Sequence, residues 1–123
     1  MRALAGVVSG LPRRALRIAC GDLNAPPGSD EIRMPAGRAA VPVPGLVFYD
    51  AWEIAGDGPG HSWSPANAWA AAALLPDRRI DYVLTPWPRR AGQAHPVRAE
   101  LVGTGRTDPT PSDHHGVLAE LRY

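Results

Sequence analysis

Proline and glycine interrupt this chain so often that it can form only short helices and strands. Its 123 residues include 14 Pro and 13 Gly, and both residue types are typical of turns and weaken regular elements. At the same time, 45% of the residues are apolar, more than in a disordered tail. We therefore expect residues 1–123 to form a single domain of short elements around a modest core.

The order of the predicted elements indicates an α/β fold whose C-terminal part is mostly antiparallel. Short helices are predicted near residues 3–10, after a possible N-cap at Ser29, and over Phe48 to Ile54. Strands are predicted where apolar and β-branched residues run together, at residues 15–20, 79–85, 96–102 and 116–122. An early strand, short helices and a late run of strands are typical of an α/β protein with one mostly antiparallel sheet.

Charge and cysteine content exclude some classes of partner and chemistry. The formal net charge is +1, so overall basicity does not point to nucleic acid. Cys20 is the only cysteine, which excludes an internal disulfide, and its apolar neighbours predict a buried position. No apolar run reaches the roughly 18 residues that span a bilayer, and the first residues lack a signal-peptide cleavage pattern. We expect a cytoplasmic protein, with secretion left open if the true N-terminus lies upstream.

Three patches combine a carboxylate with groups that are used in phosphate chemistry, and Gly21-Asp22-Leu23-Asn24 is the first. In an extended segment, Asp22 and Asn24 would point to the same side at the end of a buried strand. A carboxylate beside an amide can orient a water molecule and hold a phosphoryl oxygen. A plain turn also accounts for this patch, because Gly, Asp and Asn are common turn residues.

The second patch is Arg79-Ile80-Asp81-Tyr82, within a predicted strand. Ile80 and Tyr82 share one face and suit the core, whereas Arg79 and Asp81 share the other. Charged residues in the middle of a strand are usually exposed to solvent, which is the simpler interpretation. The functional one is that Asp81 holds a histidine in one tautomer and stabilises its cation.

The third patch, Ser112-Asp113-His114, lies where a loop enters the last predicted strand. Asp113 can bind a hard cation such as Mg²⁺ or Mn²⁺ through oxygen. His114 can donate a hydrogen bond to a phosphoryl oxygen or take part in proton transfer. An Asp-His pair is also common in surface loops, and we expect His115, which faces elsewhere, to have only packing or solvent contacts.

Together and in this order, the patches resemble the later half of the endonuclease/exonuclease/phosphatase superfamily. That group includes DNase I-like nucleases, abasic-site endonucleases, inositol-polyphosphate phosphatases and sphingomyelinases. The resemblance covers roughly residues 12–123. It implies half of a DNase I-like four-layer α/β sandwich, and therefore a truncated domain that corresponds to the C-terminal half of the family.

The resemblance also implies roles for the candidate residues. Asp22 would orient the attacking water and help to bind the metal, and Asn24 would bind the scissile phosphate. Asp81 would support His114, which would contact the substrate and stabilise charge in the transition state. Asp113 would bind Mg²⁺ or Mn²⁺, which would act as a Lewis acid and a template.

A looser similarity extends over Gly60-His61-Ser62-Trp63 to Asn67. It resembles a stretch that lies near the site in some bacterial members, where Thr often stands in the place of Ser62. By this similarity Asn67 would contact phosphate, and packing or loop capping is the alternative role for its side chain.

The chain departs from the family pattern in its glutamates. The family's first half supplies a metal-binding Glu that usually follows Gln, and no glutamate of this chain has that context; the glutamates are Glu31, Glu53, Glu100 and Glu120. We therefore expect the principal metal ligand to be absent and the 123-residue chain to be weak or inactive on its own.

Two functions follow from these observations. The first is a metal-dependent phosphodiesterase or phosphomonoesterase, and the second is a non-catalytic fragment or interaction module that keeps part of the fold. The substrate would be a phosphate ester from nucleic acid, an inositol phosphate or a phospholipid headgroup. We also expect an exposed apolar sheet face, formed by the strands at 15–20, 79–84 and 117–121, that a missing N-terminal half or a second copy would cover.

Overall fold

A computed structural model describes residues 2–12, 15–40, 43–104 and 111–123. Its helices are all short. α1 spans Arg2–Ser9, α2 spans Asp30–Arg33 and α3 spans Ala51–Ala55, and single 3₁₀ turns lie at Ala71–Ala73 and Arg90–Gly92. None of the helices in these ranges is long and apolar enough to cross a bilayer.

The strands form two antiparallel sheets, and with the short helices they give the described part of the chain the expected α/β class. They are β1 (Ala19–Asp22), β2 (Phe48–Asp50), β3 (Asp81–Pro86), β4 (Pro96–Val102) and β5 (Gly116–Leu121). The first three form a sheet in the order β1-β3-β2, and β4 pairs with β5. The sequence predicted one mostly antiparallel sheet, and the structure divides it into a three-stranded and a two-stranded part.

Trp63 lies between the two sheets and links them. It makes isolated antiparallel bridges to Arg78, just before β3, and to His114, just before β5. Because of these two bridges, the beginnings of β3 and β5 are held side by side although more than thirty residues separate Asp81 from His114.

One face of the three-stranded sheet forms the main core. Tyr82 and Leu84 point into it and pack with Val8 of α1, Ile32 of α2 and Phe48 of β2. These apolar side chains are at most 5% exposed, and their burial is the main source of stability. The prediction that the apolar set of the strand at 79–84 would remain exposed is therefore wrong, because Tyr82 and Leu84 pack against α1 and α2 and Ile80 packs with Trp63 and Ala70.

The opposite face of this sheet is more open. Cys20 and Val83 are cross-strand partners on it, and Cys20 is exposed rather than buried as predicted. Farther along, Tyr49 packs against Trp87, their ring centroids lying 5.4 Å apart, and Trp87 is 67% exposed. Ile18, just before β1, and Leu118, on β5 of the other sheet, are also exposed. That a further polypeptide covers this face stays a prediction.

Two local predictions are wrong, and Asp50 accounts for both. Residues from Phe48 onward begin as a strand, because Asp50 is an extended N-cap whose carboxylate accepts the Trp52 backbone N–H at 3.0 Å and starts α3 only at Ala51. The other Asp50 oxygen accepts a hydrogen bond from the Arg79 guanidinium. Arg79 is therefore buried rather than exposed to solvent.

Candidate functional site

Asp81 and His114 form the centre of the candidate site. The Oδ2 atom of Asp81 lies 2.8 Å from Nδ1 of His114, so the predicted hydrogen bond between these side chains is confirmed. The side chains are 18% and 25% exposed, respectively. They are thus shielded enough to strengthen their interaction, and both remain in contact with solvent.

The backbone brings these two side chains together at the point where their strands begin. Asp81 is the first residue of β3, and His114 lies two residues before β5. Trp63 bridges the two segments, and the Ser112 hydroxyl accepts the backbone N–H of His114 at 3.1 Å. Sequence reasoning missed the linking role of Trp63, because an isolated bridge has no periodicity that a sequence pattern could reveal.

Asp22 lies beside Asp81 on the neighbouring strand. The two residues are directly opposite in the antiparallel β1–β3 pair, so their side chains share the open face of the sheet. The Asp22 carboxylate also accepts the backbone N–H of Asn24 at 2.7 Å. The first patch therefore forms a turn, and that turn holds a carboxylate next to the Asp81–His114 pair.

Asn24 is exposed and has a φ of 50°, a left-handed conformation that Asn tolerates better than most residues. The extended segment thus ends at Asp22, and the expected alternation of faces does not apply to Asn24.

The sequence assigned Tyr82 to the core alone, but its hydroxyl also lies 2.6 Å from the carbonyl of Ala25, to which it donates. This bond ties the segment after Asn24 to β3.

Asn67 is bonded within the protein at both ends of its side-chain amide. Its Nδ2 donates to the Ser112 carbonyl at 2.9 Å, and its Oδ1 accepts the Trp69 backbone N–H at 3.1 Å. The residue is 6% exposed. These contacts are those of a loop anchor that holds the Ser112–His114 segment, and a phosphate contact for Asn67 stays a prediction.

Three carboxylates favour the protonated form of His114. Partial burial opposes the charged imidazolium and acts to lower its pKa. The hydrogen bond and charge of Asp81, followed by the charges of Asp113 and Asp22, act in the opposite direction and outweigh burial, so the pKa of His114 is raised above its ordinary value. Of these carboxylates, Asp81 is hydrogen-bonded to the imidazole, whereas Asp113 and Asp22 act on its pKa through their charge.

The donor set of the site suits a hydrated hard cation. Asp22 and Asp113 are exposed carboxylates, and Mg²⁺ commonly binds to one or two carboxylates while it keeps several waters. Within the described ranges, no group of three or more His, Cys, Asp and Glu side chains is arranged to hold a metal ion. The carboxylates of Asp22 and Asp113 are therefore the groups of this site to which a hydrated cation would bind.

A shallow cavity of about 380 Å³ lies beside this loop and is lined by Trp69, Pro111, Ser112 and Asp113. The indole of Trp69 is 66% exposed. The candidate site thus includes a surface depression beside the loop that carries His114, whose ring pairs with Asp81.

Comparison with known proteins identifies one family. A sequence model described as Endonuclease/Exonuclease/phosphatase family matches residues 2–114. No curated protein matches significantly, and no solved structure does so either. The matched range includes all three patches and therefore the whole candidate site.

Proposed function

Because the chain belongs to the endonuclease/exonuclease/phosphatase family, we propose that its site hydrolyses phosphate esters with the help of Mg²⁺ or Mn²⁺. The observation that carries this proposal is the 2.8 Å contact between Asp81 and His114, with Asp22 opposite Asp81 on the adjacent strand. This arrangement supplies a hydrogen-bond donor and a water-orienting carboxylate where the end of β1, the start of β3 and the segment before β5 meet.

In this proposal, His114 stabilises negative charge on the phosphoryl group. Its Nδ1–H donates to Asp81, which sets the orientation of the ring and leaves Nε2–H as the donor toward substrate. The raised pKa of His114 keeps a larger fraction of the ring cationic near neutral pH. A cationic donor stabilises the charge that develops on a phosphoryl oxygen better than a neutral one does.

Asp22 and Asn24 would prepare the nucleophile and the substrate. Asp22 is exposed on the same sheet face as Asp81, and its carboxylate can accept a proton from, and thereby orient, an attacking water. The backbone N–H of Asn24 donates to Asp22, so the two residues lie in one turn, and the side-chain amide of Asn24 would contact the phosphate. Asp113, the residue before His114, would hold the metal together with Asp22. The bound metal would supply Lewis-acid stabilisation of the phosphoryl oxygens.

We further propose that this chain binds metal weakly and is therefore a slow enzyme when it acts alone. Three of its four glutamates are engaged in ion pairs with arginines elsewhere: Glu53 with Arg38 at 2.6 Å, and Glu100 and Glu120 with Arg98 at 2.5 and 3.1 Å. These pairs support the view that Asp22 and Asp113 must hold the metal without a glutamate. A loosely placed cation lowers the rate because phosphoryl transfer depends on positioning.

The partner that we propose is a polypeptide that covers the open sheet face, either family sequence upstream of this chain or a second copy. This face carries Cys20 and Val83 and continues to the exposed ring of Trp87. Asp22 and Asp81 lie at the end of the same face, so a polypeptide packed there would border the site and could add a metal ligand. A non-catalytic interaction module is the alternative, and the same exposed face favours it.

The test is hydrolysis of bis(p-nitrophenyl) phosphate by the purified chain with Mg²⁺, with Mn²⁺ and with EDTA. We expect slow, metal-dependent hydrolysis that His114→Ala abolishes, because the substitution removes the cationic donor. His115→Ala is the matched control, since the described hydrogen bond of the His115 ring is with the Gly103 carbonyl, at 3.3 Å, and not with a carboxylate of the site. Equal activity of His114→Ala and the unmodified chain would contradict the proposal, and hydrolysis that EDTA leaves unchanged would contradict its metal dependence.

The substrate class is tested with the same chain on three families of phosphate ester: DNA, an inositol polyphosphate and sphingomyelin vesicles. Addition of the upstream family sequence, in cis or as a separate chain, should raise the rate by orders of magnitude if it supplies a metal ligand and orders the site. An unchanged rate on a demonstrably formed complex would favour the non-catalytic module.

A further inference from the structure

Ser62 has an unusual set of contacts beside the candidate site. Its side chain is completely buried, and its hydroxyl oxygen accepts two backbone N–H groups, those of Ile80 and Asp81, each at 3.1 Å. A hydroxyl has two lone pairs and can accept both bonds at once. The Ser62 hydroxyl thus binds the backbone of Asp81, the residue whose carboxylate pairs with His114.

The local backbone explains why a side chain is needed at this place. Arg78 is paired with the backbone of Trp63, and the regular β3 ladder begins only at Asp81. Arg79 and Ile80 lie between these two paired segments and belong to neither. Buried N–H groups must find a partner in such an interruption, and the hydroxyl of Ser62 provides it for Ile80 and Asp81.

Ser62 is also bonded to the segment that carries the histidine. Its carbonyl accepts the backbone N–H of His115 at 2.6 Å, and the next residue, Trp63, bridges His114. One buried residue therefore binds the β3 start through its side chain and the β5 start through its backbone. Movement of either segment relative to the other changes the distance between Asp81 and His114.

We propose that Ser62 is a positioning residue, which acts through its hydroxyl to hold Asp81 at hydrogen-bonding distance from His114. The effect of Ser62 on catalysis rests on the proposed phosphoesterase function. Its effect on the Asp81–His114 hydrogen bond can be measured without any hydrolysis. The carbonyl bond to His115 belongs to the backbone and survives any substitution. A substitution can therefore remove only the two hydrogen bonds that the Ser62 hydroxyl accepts.

The variants are Ser62→Ala, which removes the hydroxyl, and Ser62→Thr, which keeps it. Ser64→Ala is the matched control, because the Ser64 hydroxyl also accepts a backbone N–H, that of Ala66 at 3.1 Å, but has no bond to the strand starts. The first readout is the ¹⁵N and proton NMR signals of the His114 ring at one fixed pH, which report whether Nδ1–H is shared with a carboxylate. The second is urea unfolding, which separates a general loss of stability from a local change.

We expect Ser62→Ala to remove the signature of a carboxylate-bound Nδ1–H in a chain that is still folded, and Ser62→Thr and Ser64→Ala to retain it. Where hydrolysis is measurable, kcat should fall about ten- to a hundredfold in Ser62→Ala with KM changed less than about twofold, since a small misplacement acts mainly on the transition state. Ser62→Thr should recover most of the rate.

The proposal is overturned if Ser62→Ala destabilises the chain but leaves the His114 signals and kcat as they are, because the role would then be structural alone. If Ser62→Ala does not fold, Ser62→Cys replaces it, since a thiol keeps the size but is a weak acceptor; unchanged His114 signals in folded Ser62→Cys would overturn the proposal too. If the unmodified chain shows the carboxylate-bound His114 signal but hydrolyses nothing, the proposed function is contradicted. The positioning role of Ser62 is then decided by the His114 signals of the Ser62 variants alone.

Discussion

The buried ion pair of Arg79 and Asp50 should be the most sensitive electrostatic contact of the described fold. The two side chains are 9% and 4% exposed, and the Arg79 guanidinium also lies over the ring of Tyr82, 5.1 Å from its centroid. Asp50 has a second role, because its other oxygen caps α3 through the Trp52 N–H. Removal of the carboxylate would thus leave a buried cation without its partner and uncap a helix.

The magnitude follows from these two losses. Removal of one partner from a buried pair costs about 3–5 kcal/mol, and loss of an N-cap costs about 1 kcal/mol. Asp50→Ala should therefore destabilise the chain by about 4–6 kcal/mol. A chain of this length has a total stability on the order of 6–18 kcal/mol. With a urea m-value of about 2 kcal/mol/M, the unfolding midpoint should fall by about 2–3 M.

A double-mutant cycle in urea measures the coupling. Asp50→Asn keeps an oxygen for the cap and should lose mainly the charge pairing, whereas Asp50→Asn combined with Arg79→Met removes both charges and should be more stable than Asp50→Asn alone. Arg38→Ala, which breaks the exposed pair with Glu53, is the control and should cost about 0–1 kcal/mol. Small, additive effects of the two buried substitutions would refute the reasoning, since they would show that the buried charges do not depend on each other.

Two further predictions concern titration and packing. The pKa of His114 is raised in the folded chain. Its contribution to stability should therefore be complete below about pH 6.5, the ordinary value, and should be lost as pH rises through the folded pKa. Urea unfolding across this range should show that loss in the unmodified chain and not in His114→Gln. Gly60→Ala should destabilise the chain far more than Gly58→Ala, although both glycines have positive φ (66° and 67°). The reason is that a Cβ at Gly60 would overlap the Trp52 ring, whereas the space at Gly58 is open. Equal thermal unfolding midpoints for these variants would contradict this explanation.

The sequence alone named the residues of the candidate site, and the structure confirms one contact among them. Each patch is a short local motif whose order along the chain can be recognised without coordinates, and the contact between Asp81 and His114 was confirmed at 2.8 Å. The strand at residues 96–102 was predicted with the bounds that the structure has. Such elements are predictable because a continuous run of seven residues contains the pattern that sets its own backbone conformation.

The environment of a single side chain was less predictable. Arg79 was expected on an exposed face, and it is buried because Asp50, twenty-nine residues earlier in the chain, neutralises it. Cys20 was expected in the core, and it is exposed because it lies on the sheet face opposite α1 and α2. In both cases the local pattern was compatible with either environment, and burial depended on which distant element packs on which face.

Sequence by itself thus determined which chemical groups this protein has and the order in which they occur, since motif identity is a property of neighbouring residues. Only the tertiary structure decided how those groups are held. The linking position of Trp63, the double acceptor at Ser62 and the placement of Asp22 opposite Asp81 all depend on strand register across long chain separations. Register is set by the packing of the whole sheet, and no short stretch of sequence contains that information.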